Sequence, residues 1–388
     1  MSDKRIHLIA PAAPCGPFLR AMKLDSAPSL IEHVQHIVGS DYRVTGDVNL
    51  LDAEEDERAG GRTDDRARAK DLEAALSDSA VAAMIAVRGG AWFTRILPSI
   101  DFSVLDRRST RIAVFGFSEV TPLINIVGAH RNGLGLYSMG PAFLTYGLRR
   151  YAATQRDSAG GSTLPASDPP VSPLVKGGGS GSAGASPAPS PHPYPLPKRE
   201  GDPATPQQWM ETQLRDEFRA YFEEVVSILE GRHGELTLTA RLVSGDVSAP
   251  TTAAFTGGNL TVLSPMIGSR FADAIDPRGR WLLLEDFNDK PERFDRFLSH
   301  LTLAGFWDRC AGVLLGDFHN ADGDLLDAIV ALLPYHLPAN RSVPVMATPQ
   351  VGHIWPMTPM PLHAPATIEQ AEDYSYVLRW RGSALKIV

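Results

Sequence analysis

The sequence is poor in cysteine, in basic charge and in long apolar runs. Its 388 residues include two cysteines, Cys15 and Cys310, which are too few for a disulfide framework or a zinc cage. The formal net charge of −8 at pH 7 argues against a nucleic-acid-binding protein, because such a protein needs a positive surface to neutralise phosphates. No apolar run approaches the ~20 residues that cross a bilayer. We therefore expect neither nucleic acid nor membrane as a partner.

The amino-terminal region does not have the pattern of an export signal. The apolar run from Ile6 to Ala13 is short, contains His7 and Pro11, and ends just before the Pro-Cys pair at Cys15. A signal peptide needs a longer uninterrupted apolar segment. We therefore expect a cytoplasmic protein.

The composition is typical of a globular α/β protein. Hydrophobic residues make up 43% of the chain and charged residues 21%, and the length is sufficient for two domains. Short apolar runs alternate with amphipathic stretches through residues 1–154, which predicts an amino-terminal domain with a parallel sheet covered on both faces. The predicted strands are 6–10, 81–87 and 111–115, and the predicted helices are 29–38, 64–77 and 120–129.

A segment rich in proline, glycine and serine interrupts this pattern at residues 155–208. Twelve of the 31 prolines lie between Pro165 and Pro206, mixed with the run GGGSGSAGAS. Such a segment cannot bury enough apolar surface to offset the entropy of ordering it. We interpret it as a disordered linker or insertion between two domains.

Deletion of residues 158–205 is accordingly expected to leave folding and activity largely intact, because a segment of this composition is not expected to supply core residues. Soluble yield, the midpoint of thermal unfolding and turnover, each compared with the full chain, would measure this. Loss of soluble protein would contradict the linker interpretation.

Residues 209–388 predict a second, mixed α/β domain. A long helical stretch at 213–229 precedes a region in which apolar strands and amphipathic helices alternate. The predicted strands are 236–243, 281–286, 312–316, 343–347 and 376–380, and the predicted helices are 291–304 and 323–333.

Ser118 is the sharpest candidate for chemistry. The apolar strand of RIAVFGFSE runs directly into Gly-Phe-Ser-Glu and then into a predicted helix. A serine on such a strand-to-helix turn projects its hydroxyl away from the sheet, and the next backbone N–H can receive an oxyanion. The motif departs from the G-x-S-x-G elbow because Val120 replaces the final glycine. The alternative is that Ser118 caps the following helix.

Two glycine pairs are weaker candidates for ligand contact. Gly89 and Gly90 follow the predicted strand 81–87, and Gly257 and Gly258 precede Asn259. Paired glycines let backbone N–H groups approach a ligand closely, but tight turns use the same residues.

A serine nucleophile also needs a base and a group that orients the base. His353 lies in a glycine-flanked loop just after the predicted strand 343–347, and His319 follows another strand. Either histidine is a candidate for the base, because α/β proteins place reactive groups in loops at strand ends. Glu285 ends the apolar strand WLLLE, where a carboxylate is costly to bury unless it is paired. It is either the orienting acid or a strand-end residue facing water.

Several segments, taken in order, resemble the family of LD-carboxypeptidases and microcin C immunity peptidases. The resemblance covers nearly the whole chain except the proline-rich segment. The matching segments are IHLIAPAAPCGP, GGRTDDRARAKDLEAALSDSAVAAMIAVRGG, RIAVFGFSEVTPL, GGNLTVLSPMIGS and WLLLEDFNDKPERFDRFLSHLTLAGFWDRCAGVLLGDF. Each segment is short, but the set in this order is specific.

The resemblance implies a flavodoxin-like amino-terminal domain, a swivelling-type mixed α/β carboxyl-terminal domain and an active site between them. It implies a triad of Ser118 as nucleophile, His353 as base and Glu285 as orienting acid. The implied oxyanion hole uses the backbone N–H of Glu119 and of Gly89 or Gly90. The mechanism that the resemblance implies needs no metal or organic cofactor. The family usually has an aromatic-glycine pair where this chain has Ala91-Trp92, so Trp92 is expected to reshape the wall of the substrate pocket.

The implied function is a homodimeric serine carboxypeptidase that removes the terminal D-alanine from cytoplasmic muropeptide tetrapeptides during peptidoglycan recycling. A rival within the family is hydrolysis of an aminoacyl-nucleotide amide of the microcin type, with Trp92 stacked on the nucleobase. Two further rivals are a non-catalytic α/β ligand-binding module and an α/β-hydrolase esterase. The missing final glycine of the elbow and the second domain count against the esterase.

Overall fold

The computed structural model describes most of the chain, which forms two β-sheets with their associated helices. The described residues are 4–55, 60–158, 206–371, 375–385 and 387. Most of the predicted linker, residues 159–205, lies outside them. The bordering helices are α7 (Phe143–Ser158) and α8 (Pro206–Leu229). No helix of the described part combines the length and apolar character needed to span a bilayer.

The first sheet, as far as the described residues show it, has five parallel strands and one antiparallel edge strand. The parallel strands are β1 (Arg5–Ile9), β2 (Arg43–Gly46), β3 (Val81–Ala86), β4 (Ile112–Gly116) and β5 (Gly133–Tyr137). Their order in the sheet is β2-β1-β3-β4-β5, which is the flavodoxin-like order and confirms that prediction.

Both faces of this sheet are covered. Every residue of β3 and β4 is buried, as expected for parallel strands between two layers of helices. Each large apolar side chain buried there contributes about 1.5–3 kcal/mol. The helices of this half are α1 (Gly16–Met22), α2 (Ala27–Val38), α3 (Val48–Leu51), α4 (Asp65–Ser77), α5 (Phe93–Ile96), α6 (Thr121–Ala129) and α7.

The second sheet is mixed, also as predicted. It has nine strands within the described residues, and its parallel part is formed by β8, β9, β10 and β12. Its strands are β6 (Glu235–Ser244), β7 (Thr251–Ala253), β8 (Phe255–Asn259), β9 (Trp281–Phe287), β10 (Gly312–Asn320), β11 (Gly323–Asp324), β12 (Val345–Ala347), β14 (Ala366–Gln370) and β15 (Ser375–Arg381). The remaining helices are α9 (Leu260–Leu263), α10 (Pro291–Leu303), α11 (Phe306–Arg309), α12 (Leu326–Leu332) and α13 (Gly382–Leu385).

Two elements from the second half of the chain pack onto the first half. Strand β13 (Met360–Leu362) pairs antiparallel with β5, so that Met360 lies opposite Tyr137. Helix α8 packs against α1, α2 and α7, with the ring of Phe218 beside that of Phe18 in α1. Contacts thus cross between residues 1–154 and 209–388. The division into domains at these limits remains a prediction from the sequence.

Candidate active site

Ser118 occupies a strained turn at the carboxyl end of β4. Its φ angle of 58° lies in the left-handed region, which costs a non-glycine residue about 1–2 kcal/mol. The side chain does not cap α6, whose N-cap is Val120 and has no side-chain hydrogen bond. Instead the Ser118 Oγ lies 3.1 Å from the Nε2 of His353. The geometry therefore disfavours the helix-cap interpretation of this serine.

His353 reaches Ser118 from the loop that follows β12. The preceding Gly352 has a φ of 128°, and a Cβ there would lie 2.8 Å from the Cβ of Asp317 and 3.1 Å from the Oε2 of Glu285. Glycine at this position therefore lets the loop pass close enough to bring the imidazole to the carboxylate. The Nδ1 of His353 lies 2.7 Å from the Oε2 of Glu285.

Glu285 lies near the carboxyl end of β9 and is fully buried. Its second oxygen, Oε1, accepts hydrogen bonds from the Tyr137 hydroxyl at 2.6 Å and from the Asn259 side-chain amide at 3.2 Å. A buried carboxylate with three partners is held in one orientation. The structure thus joins the hydroxyl, imidazole and carboxylate of the three predicted residues in one hydrogen-bonded chain.

Aromatic rings fix the plane of the imidazole. Phe287 stacks on His353 with ring centroids 3.8 Å apart, and Phe117 and Phe143 lie at 4.8 Å and 5.7 Å. Arg150 donates from Nη1 to the backbone oxygen of His353 at 2.8 Å. These contacts leave the imidazole little freedom to rotate away from Ser118.

Sequence reasoning missed Tyr137 and named Asn259 only as the end of a weak Gly-Gly-Asn motif. Tyr137 ends β5, and its hydroxyl also accepts a hydrogen bond from the backbone N–H of Ser118 at 3.3 Å. Burial raises the pKa of Tyr137 well above its ordinary value, and the adjacent Glu285 carboxylate adds to the rise, so the hydroxyl keeps its proton. Asn259 ends β8, and the Gly-Gly pair before it is the sequence feature that could have pointed to a site at this strand end.

Asp286, next to the candidate acid, forms a second buried carboxylate. Its oxygens accept from the Asn259 side chain and from both the backbone and the hydroxyl of Thr261. Burial and the neighbouring Glu285 charge raise the pKa of Asp286 to about 6. Asn259 therefore bridges the two carboxylates and keeps them in fixed positions.

The predicted glycine turn lies beside the nucleophile, and its two glycines differ. A Cβ on Gly89 would lie 3.2 Å from the Cβ of Ser118 and 3.5 Å from its Oγ, whereas a Cβ on Gly90 would meet Ala13. The indole of Trp92 packs against Gly61, where a Cβ would come within 2.3 Å of the ring. The turn is thus positioned beside the Ser118 hydroxyl, and Trp92 lies against another part of the same half.

His319, the alternative base, lies near the three residues but outside their hydrogen-bonded chain. Its Nδ1 is 2.5 Å from the Oδ2 of Asp317, and its ring is 5.9 Å from that of Phe287. The structure therefore favours His353 over His319 as the partner of Ser118. Among the described residues, no group of three or more His, Cys, Asp and Glu side chains is placed to hold a metal ion.

Removal of the Tyr137 hydroxyl is expected to lower kcat about tenfold. The change Tyr137→Phe takes one of three partners from Glu285, and a hydrogen bond to a charged group is worth about 1.5–3 kcal/mol, part of which Asn259 can replace. Steady-state kinetics would measure the loss. Tyr221→Phe is the matched control, because the buried Tyr221 hydroxyl has no hydrogen-bond partner among the described residues. Wild-type kcat in Tyr137→Phe would contradict the assignment.

A hydroxyl, an imidazole and a buried carboxylate in successive hydrogen-bond contact form the arrangement found in serine hydrolases. Here they lie at the ends of β4 and β9 and in the loop after β12, between the two sheets of an α/β fold. This arrangement in an α/β fold is the one expected of a serine hydrolase.

The chain belongs to the LD-carboxypeptidase family. The family's amino-terminal domain matches residues 6–138, and its carboxyl-terminal domain matches residues 252–368. A probable murein peptide carboxypeptidase of Bacillus subtilis is 26% identical over 377 residues, which is 96% of this chain and 91% of the relative. A putative carboxypeptidase of Vibrio cholerae is 25% identical and covers 81% of this chain and 80% of the relative.

Solved structures share the fold at lower identity. The muramoyltetrapeptide carboxypeptidase of Oxalobacter formigenes has a TM-score of 0.56 at 17% identity, with 96% of this chain and 98% of that chain covered. MccF, a microcin C7 self-immunity protein in complex with glutamyl sulfamoyl guanosine, has a TM-score of 0.60 at 14% identity, with 98% and 97% covered. Both comparisons support the two-sheet architecture of this family.

Proposed function

We propose that the protein is a serine LD-carboxypeptidase that removes the terminal D-alanine from muropeptide tetrapeptides in the cytoplasm, as a step of peptidoglycan recycling. The observation that carries the proposal is the contact chain in which Ser118 Oγ lies 3.1 Å from His353 Nε2, and His353 Nδ1 lies 2.7 Å from Glu285 Oε2. The name of the Bacillus subtilis relative supports a murein peptide as substrate.

In the proposed mechanism, His353 takes the proton of Ser118 as the Oγ attacks the carbonyl carbon before the terminal D-alanine. Glu285 accepts from the Nδ1–H of His353, so that Nε2 is free to act as base and the imidazolium is stabilised. The backbone N–H of Glu119 and of Gly89 stabilise the oxyanion of the tetrahedral intermediate.

The intermediate then collapses and the carbon–nitrogen bond breaks. His353 gives its proton to the departing amine, which leaves as D-alanine, and the shortened peptide remains as an ester on Ser118. Water loses a proton to His353 as its oxygen attacks the ester carbon. The ester carbon–oxygen bond to Ser118 then breaks, the shortened peptide leaves as its free acid, and His353 returns the proton to Ser118 Oγ. All steps use the same imidazole, so its fixed plane between Phe287 and Phe117 serves each of them.

The second candidate is cleavage of an aminoacyl-nucleotide amide, as the structural likeness to the MccF complexes suggests. The same three residues would perform the chemistry, and the pocket would have to accept a nucleoside. The contact of Trp92 with Gly61 gives this alternative no specific support, because the indole is already packed against the chain.

One experiment separates the candidates. The purified protein is incubated in parallel with a muropeptide tetrapeptide and with an aminoacyl sulfamoyl adenosine, and mass spectrometry detects free D-alanine or released nucleoside. We expect D-alanine. Release of nucleoside alone would favour the second candidate, and binding without turnover in either reaction would favour a ligand-binding module.

We also propose that the protein forms a homodimer, as the family resemblance implies. Light scattering coupled to gel filtration would give a mass of twice 42.0 kDa. A mass of one chain over the working concentration range would refute it. Cell fractionation with an antibody would test the proposed cytoplasmic location.

A further inference from the structure

The side chain of Glu119 accepts its hydrogen bonds from α5, although the residue directly follows the nucleophile. It is 8% exposed, and one of its oxygens, Oε1, accepts three hydrogen bonds. The donors are the backbone N–H of Phe93 at 2.9 Å, the backbone N–H of Thr94 at 3.1 Å and the Thr94 hydroxyl at 3.3 Å. One carboxylate oxygen thus holds the first turn of α5.

This turn of α5 directly continues the glycine turn beside Ser118. Strand β3 ends before Gly89, and α5 begins just after Trp92, so the position of the glycine N–H groups depends on how both ends are held. At the far end, Arg68 donates from Nη1 to the backbone oxygen of Trp92 at 3.2 Å. In the middle, the N–H of Ala13 donates to the backbone oxygen of Gly89 at 3.1 Å. Glu119 supplies the contacts that tie this segment to the nucleophile's own turn.

A carboxylate is an expensive group to bury for packing alone. Desolvation raises the pKa of Glu119, and the donors from Phe93 and Thr94 oppose that rise. An apolar side chain of the same length would fill the space at less cost, but would leave two backbone N–H groups without an acceptor. The acceptor oxygen is therefore the feature of Glu119 that the surrounding structure uses.

We propose that the Glu119 side chain is a positioning residue for the oxyanion hole, because it fixes the segment bearing Gly89 at a set distance from Ser118. One residue then serves both halves of that hole: its backbone N–H is one donor, and its side chain places the other. This inference rests on the proposed function of the site. It predicts that the side chain affects stabilisation of the transition state more than binding of the substrate.

Two substitutions of matched size test the proposal. Glu119→Met keeps the length but has no oxygen, and it is expected to lower kcat about 100-fold with KM changed less than about threefold, because a small displacement of a catalytic group costs about that much. Glu119→Gln keeps an acceptor oxygen that can receive all three donors, and it is expected to restore kcat to within about threefold of the wild type.

Hydrogen exchange gives a second readout that does not depend on turnover. In Glu119→Met the backbone amides of Phe93 and Thr94, which lose their acceptor, are expected to exchange at least about tenfold faster than in the wild type, and in Glu119→Gln they are expected to stay protected. If Glu119→Met keeps wild-type kcat, or if its amides stay protected, the inference is wrong. If the wild type releases no D-alanine, the proposed function fails, and the exchange comparison alone decides whether Glu119 holds the segment.

Discussion

Ser118→Ala is expected to lower kcat by about 10⁶-fold while the protein stays folded. The substitution removes the attacking oxygen, and loss of a serine nucleophile in enzymes of this mechanism costs about that factor. It deletes one hydroxyl and keeps the Cβ, so the strained turn at φ 58° and the packing around it are preserved. Release of D-alanine from the tetrapeptide, with circular dichroism to check folding, would measure the effect.

His353→Ala is expected to show a loss of the same order, since Ser118 then has no base. Glu285 keeps its donors Tyr137 and Asn259 in this variant, so its buried charge retains two partners. An unchanged rate in either folded variant would refute the roles proposed for Ser118 and His353.

The chain offers matched controls for both substitutions. The Oγ of Ser264 lies 2.6 Å from the Nδ1 of His300, which is a serine–histidine contact outside the hydrogen-bonded chain of the candidate site. The Nε2 of His336 lies 2.8 Å from the Oδ1 of Asp295, which is a histidine–carboxylate pair in which the histidine is buried and the carboxylate is partly exposed. Ser264→Ala and His336→Ala therefore remove similar contacts, and we expect both to keep wild-type turnover.

Glu285→Gln is expected to lower kcat by about 10⁴-fold with the fold intact. A glutamine can still accept from Tyr137 and Asn259 through its oxygen, but it then presents its NH₂ group to His353. The Nδ1 must become the acceptor, and the proton moves to Nε2, where it prevents that nitrogen from taking the proton of Ser118. A change of tautomer of this kind costs about 10⁴-fold in serine peptidases.

The control for this substitution is Asp295→Asn, which alters the corresponding contact of His336. It is expected to leave kcat unchanged. A Glu285→Gln variant with kcat within about tenfold of the wild type would show that the carboxylate does not set the tautomer of His353. Both variants are read by the same assay of released D-alanine.

The apolar strands were predictable because their signal is local. Continuous apolar runs such as 81–87 and 281–286 appear as β3 and β9 with ends shifted by one residue. Two glycine-rich strands, β5 and β8, were not predicted from the sequence. A Cβ on Gly133 would lie 1.9 Å from the Val127 oxygen, and one on Gly135 would lie 2.1 Å from the Ile124 oxygen, so β5 has glycines because α6 lies against it. Such close approach depends on tertiary structure, which a single sequence does not reveal.

The candidate site residues with a local sequence signal were predicted, and those that depend on tertiary contacts were not. Ser118, Glu285 and His353 stand in short motifs at strand ends, where an ordered set of segments indicates them. Tyr137 supports Glu285 only because β5 lies where its last side chain can cross to the second sheet. Gly258 allows that crossing, since a Cβ there would lie 2.6 Å from the ring of Tyr137.

An open cavity of the structure lies away from the candidate site. A cavity of about 470 Å³ opens at the opposite end of the first sheet, beside Arg111, Arg280 and His363. Ser118 lies at the carboxyl end of β4, whereas Arg111 lies at its beginning. The hydrogen-bonded chain of side chains, rather than the volume of open space, identifies where chemistry is expected.

The position of β13 has a consequence for how the chain is made. A ribosome delivers β5 more than two hundred residues before its edge partner, Met360–Leu362. Until then β5 is an open sheet edge, which invites pairing with other chains. The loop bearing His353 emerges in the same late stretch. A nascent chain therefore gains its base and closes its exposed edge together, and a truncated product would be both inactive and prone to aggregate.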